Sequence, residues 1–147
     1  MKKFKEYIKE FIESRKSKNN IMNDIIYYHN EVYKYMHEHE DELLSIAQGR
    51  TEEIDPLYNL QDVVQKFYDF TKSHYKQLPN FKITNETFSS FHKFIEFQLD
   101  RAKSSIDIGS DELSKHKYGD ALNSFDLSYS QIHNAIKVFL SAENEQK

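Results

Sequence analysis

The sequence predicts an all-α fold: an antiparallel up-down four-helix bundle with long helices and an additional N-terminal helical segment. Three observations carry that expectation. Apolar residues recur at alternating steps of three and four along most of the chain, the spacing that keeps one stripe of a helix facing a partner. Three Gly and two Pro in 147 residues leave room for few turns. Short links between the periodic segments force neighbouring helices to run antiparallel. The composition agrees, because 30% charged against 38% apolar residues suits long helices with much surface per unit of core. Eleven Phe and ten Tyr argue against a disordered chain, which is poor in aromatics.

Residues 1–19 read as a basic amphipathic helical segment, set apart from a bundle domain at 20–147. Phe4, Ile8, Phe11 and Ile12 share one face among lysines, and residues 1–20 carry seven Lys/Arg against three Glu, a net +4. A polar patch, Ser14 to Asn20, makes a weak joint, with Asn20 as a cap. The rhythm resumes at Met22, Ile25, His29, Val32, Met36, His39, Leu43 and Ile46 and predicts one helix to Gln48. Gly49 is the expected stop, since it adopts the left-handed conformation after a helix end. Asp55-Pro56 restarts the chain as N-cap and first helical residue. Leu57, Leu60, Val64, Phe67, Thr71, His74 and Leu78 follow, and Pro79 ends that helix by pushing its predecessor out of the α region.

The third helix is expected from a cap at Thr84 or Asn85, with Phe88, Phe91, Ile95, Leu99, Ala102, Ile106, Gly109 and Leu113 on one stripe. Gly109 followed by Ser110-Asp111 imitates a stop, yet the phase runs through it, so the helix is predicted to continue to about Lys115. A mid-helix glycine costs about 1 kcal/mol and is tolerated where a partner must come close; register places Gly109 opposite Phe125. The fourth helix, about 119–142, carries Tyr118, Leu122, Phe125, Tyr129, Ile132, Ile136 and Phe139. Unequal lengths predict that the hairpin tip, 108–120, projects beyond the 49–55 loop with Ile108, Leu113 and Tyr118 exposed.

Gly109, Tyr118 at the turn, Ala121 and Phe125 make residues 102–135 resemble one tetratricopeptide repeat. The resemblance implies a close-packed helical hairpin, and arrays of such repeats bind peptides. Ser128 stands where that family has Ala, and no second copy occurs at the repeat period.

Most chemistries lack their residues. No cysteine means no disulfide framework, thiol catalysis or thiolate metal site. There is no Gly-rich phosphate loop, no G-x-S-x-G and no His-Glu-x-x-His. A di-iron bundle needs Glu-x-x-His pairs. The residues three before the seven histidines are Ile26, Lys34, Met36, Thr71, Ser89, Leu113 and Ser130, none acidic. No catalytic residues and no cofactor are expected. The tract His37 to Glu42 fans around a helix and reads as a solvated face, since His37 and Asp41 are its only histidine–carboxylate pair at i, i+4. Register across the loops brings His29, His74 and His92 toward one end, the alternative reading being a metal or ligand site there.

The leading expectation is a non-enzymatic protein that binds another protein or itself, as heptad-spaced, coiled-coil-like helices do. Its expected partner surfaces are Ile108, Leu113 and Tyr118 at the tip and Phe4, Ile8 and Phe11 at the start. An anionic membrane surface is the alternative target of residues 1–19. A net charge of −4 gives no reason to expect nucleic acid. The interrupted start lacks a signal-peptide core, and no run reaches membrane-span length, so the expected setting is cytoplasmic. Rich use of Lys, Asn, Ile, Tyr and Phe points to an AT-rich genome, a low-GC bacterium or its phage.

Overall fold

The computed structural model describes residues 17–83 and 87–145, and these form five α-helices with no strand longer than an isolated bridge. They are α1 (Asn20–Glu38), α2 (Glu40–Ala47), α3 (Asp55–His74), α4 (Phe91–Ser114) and α5 (Tyr118–Glu145). None of the described helices is long and apolar enough to cross a membrane. The expected segment at 1–16, with Phe4, Ile8 and Phe11, lies outside the described residues.

Asn19 rather than Asn20 caps α1, its side chain accepting from the Met22 amide. The helix predicted to run unbroken to Gln48 is interrupted at His39, whose ψ of 19° departs from the helical region. Apolar phase cannot register the break, because Met36, Leu43 and Ile46 are all buried on one continuing stripe. Local chemistry accounts for it. His39 stacks on Tyr35 at 4.3 Å and bonds Glu42 at 2.9 Å, and Glu40, Asp41 and Glu42 occupy the first turn of α2. Carboxylates there complement the positive end of a new helix dipole.

Gly49 ends α2 with φ +70°. Pro56 sits in the first turn of α3, one residue further inside than expected, with Ile54 as N-cap. A 3-10 turn, Tyr75–Gln77, finishes that segment, and Leu78 before Pro79 is extended. The next helix begins later than its stripe suggests. Ser90 is its cap, and Phe88 lies outside it, packed edge-on against Phe94 and tilted against Phe97. Backbone bonds from Ile83 to Ser89 and from Phe91 to Phe81 close this loop, while the expected cap at 84–85 lies outside the described residues.

Gly109 is helical and buried, as its phase required. A Cβ there would sit 2.6 Å from the Phe125 ring, so the missing side chain is the space that the ring occupies. The turn to α5 falls at 115–117, with His116 left-handed at φ 62°.

The most extensive contact joins α4 to α5, and α1 packs chiefly on α3. α5 also touches α1, α2 and α3. Directions follow from paired residues. Phe91 meets Phe139 while Gly109 meets Phe125, so α4 and α5 are antiparallel. Tyr28 stacks on Phe70 while Tyr35 bonds the Pro56 carbonyl, so α1 and α3 are too. Gln61 bonds Ser110 while His92 bonds Leu78, which gives the same sense to α3 and α4. Twenty or more large apolar side chains are buried between these elements, each contributing roughly 1.5–3 kcal/mol against the entropy of ordering.

Candidate functional site

The structure does not gather His29, His74 and His92. Among the described residues, no three His, Asp or Glu side chains converge as a metal site. His74 donates Nδ1–H to the Phe70 carbonyl at 2.8 Å and stacks on Phe70, one turn back on its own helix. His92 donates Nε2–H to the Leu78 carbonyl at 2.7 Å, tying α4 to the end of α3. His29 faces neither; it faces α5.

The expected tip also needs correction. Leu113 is 2% exposed, a core residue rather than a contact surface, and Tyr118 is half-buried with its hydroxyl 2.7 Å from His116 Nδ1. Beyond the break at His39, α2 packs against α5, with the Ala47 carbonyl beside Gly119. Only Ile108, 54% exposed, stands as expected.

The polar centre of the molecule lies between α1 and α5. His29, Tyr129 and His133 are all fully buried. His29 Nδ1 lies 3.1 Å from the Asn30 amide oxygen, a group that only accepts, so Nδ1 carries the proton of the neutral ring. Nε2 is then the acceptor. It lies 2.7 Å from the Tyr129 hydroxyl and 2.8 Å from His133 Nδ1. The rings of His29 and His133 stack at 5.0 Å, and Phe67 of α3 meets His29 edge-on at 5.7 Å.

Burial, reinforced by the charge that His133 can carry, holds the His29 pKa well below 6.5. Burial likewise raises the Tyr129 hydroxyl well above 10, with Asp126 adding to the shift, so Tyr129 remains a donor. Asp126 extends the stripe one turn toward the start of α5. Its carboxyl is 6% exposed, burial pushes its pKa up to about 7, and Oδ1 has no hydrogen-bond partner among the described residues.

Sealed from solvent, this cluster cannot receive a substrate. What it can do is tie α1 to α5 and respond to protons. Loop-by-loop register missed it because α1 and α5 are not consecutive. The available signal was Asp126-x-x-Tyr129-x-x-x-His133, polar groups at helical spacing on a face that also carries buried apolar residues.

The accessible candidate is the outward face of α4 and α5. Phe97 is 41% exposed, Ile108 54% and Leu127 49%. Glu112 meets Ser124 and Gly109 meets Phe125, so Ile108 and Leu127 stand level on neighbouring helices. Phe97 lies eleven residues before Ile108, about 16 Å along α4. Phe88 packs beside it, and the Arg101 guanidinium covers its ring at 5.4 Å. Comparison with family models, with curated proteins and with solved structures finds no match to this chain.

Proposed function

We propose that this protein is a non-enzymatic four-helix bundle of up-down-up-down order, built from α1, α3, α4 and α5, that acts by binding another protein. The pairwise antiparallel contacts support the arrangement. The observation that carries the functional reading is the placement of Phe97, Ile108 and Leu127 on the outward face of the α4–α5 hairpin. Large apolar side chains that share one exposed face are candidates for an interaction surface. The titratable cluster between α1 and α5, by contrast, is closed to ligands. The tetratricopeptide-like spacing of residues 102–135 points the same way, toward a hairpin that presents a binding face. A cytoplasmic setting in a bacterium or its phage goes with this reading, on the cysteine-free sequence and its residue choice.

The test compares three immobilised forms in extract from the source cell. The wild type is expected to retain a partner that Ile108→Asp with Leu127→Asp loses and that Tyr58→Asp keeps. Tyr58 is the control because it is a 47% exposed aromatic on α3. Identical retention by all three would remove the reading. Light scattering at high concentration addresses self-association through the same face, and a strict monomer excludes it.

A further inference from the structure

We propose that the groove between residues 81–83 and the last turns of α5 binds a single-chain aliphatic carboxylate, its hydrocarbon laid along Phe81, Ile83, Phe94 and Val138 and its charged head beside Lys82.

The lining decides what can lie inside. The groove holds about 390 Å³, and Phe81 and Ile83 of the loop, Phe94 of α4 and Val138 and Ala142 of α5 line it. All five are half-buried, packed on the core from one side and open on the other. Their side chains offer no hydrogen bond, so a polar group placed on them would lose water without a substitute. Methylenes gain by leaving water there. The volume is near the lower end of the range for ligand sites, about 300–1,000 Å³, which suits one acyl chain rather than the two of a phospholipid.

The floor is preformed. Phe81 stacks on Phe91 at 4.9 Å and lies tilted against Phe139. Backbone bonds from Phe91 to Phe81 and from Ile83 to Ser89 hold the loop to the start of α4, and Phe88 braces Phe94 edge-on at 5.5 Å.

Charge decides the head. Lys82 is exposed and, among the described residues, in no ion pair. Lys137 and Glu145 line the same groove with opposite charges that offset, so the excess is the single positive charge of Lys82. The adjoining cleft, which shares Phe81 and Ala142, does not compete for an anion. Lys18 and Glu143 offset each other there, and its polar atoms are already used. Glu143 Oε2 accepts from the Ser17 hydroxyl at 2.8 Å, and Asn80 Oδ1 accepts from the amides of Phe81 and His92. Phe94 precedes Ile108 by fourteen residues, about 21 Å of helix. The Asp substitutions that test partner binding therefore leave the groove intact, and the two readings fail separately.

Titration of the full chain with decanoate at pH 7.5, below its micelle concentration, tests this by NMR of methyl and aromatic groups. Saturable shifts are expected at Ile83, Phe94 and Val138 and not at Ile108 or Leu127. Decanoate is expected to bind at least about fourfold more tightly than octanoate, because two further methylenes partly leave water. Lys82→Glu is expected to weaken decanoate about threefold or more while leaving decanol unchanged, since the exposed ammonium acts only on the charge. Val138→Asp is expected to abolish binding of both. Should that variant fail to fold, the chain-length series on the wild type decides. Equal affinity for octanoate and decanoate, an affinity for decanoate unmoved by Lys82→Glu, or shifts spread over all five helices overturns the proposal.

Discussion

The two sides of α5 are held by different physics. Toward α4 the contact depends on shape: Gly109 yields its side-chain volume to Phe125, Phe91 packs on Phe139, and Ser128 bonds the Ala102 carbonyl at 3.0 Å. Toward α1 the contact depends on polar groups in the interior, where Tyr129 and His133 meet His29. Close packing is insensitive to pH and intolerant of volume change, whereas buried titratable groups make a contact sensitive to pH as well. One helix thus carries a rigid seam and a conditional one.

Substitutions can separate the two. Phe125→Ala should have the largest effect, a loss of about 3–5 kcal/mol in urea denaturation, because it empties a fully buried ring site. That loss should be the same at pH 6 and pH 8; a strong pH dependence would break the distinction between the seams. Asp126→Asn should act in the opposite direction and only above acid pH. Ionising this carboxyl opposes folding, so the variant should gain about 2 kcal/mol at pH 8, and the gain should fade as pH drops from about 7 toward 4. Parallel denaturation curves at pH 4 and 8 check it; a constant gain would mean that the carboxyl is not the titrating group. Gly109→Ala is smaller again, a net loss of about 1–2 kcal/mol in which overpacking against Phe125 outweighs improved helix propensity. Adding Phe125→Leu should recover part of it, and additive effects in that double mutant would deny the contact.

The same contrast explains what could be read from the chain alone. The α4–α5 seam was legible because consecutive helices joined by a short turn have only one register, so phase alone carried Gly109 to Phe125. The His29–His133 pair was not, since it joins elements distant in sequence whose adjacency depends on how three intervening segments pack. The break at His39 was hidden for another reason: buried residues on both sides keep one period, and the deciding signal lay in the acidic triplet 40–42, which also reads as solvated surface. Leu113 lies on the same buried stripe as Ile106 and Gly109, so its phase marks it as core rather than tip. Histidine count misled as well: His74 and His92 use their ring N–H groups on backbone carbonyls, which a sequence does not display.

α5 is the shared partner of α1, α2, α3 and α4, and it is translated after all of them. On a ribosome moving from the amino end, the apolar stripes of the earlier helices therefore emerge before the surface they need. Nascent chains stalled within 118–145 should be the ones that holding chaperones grip, and release should coincide with emergence of this final rod.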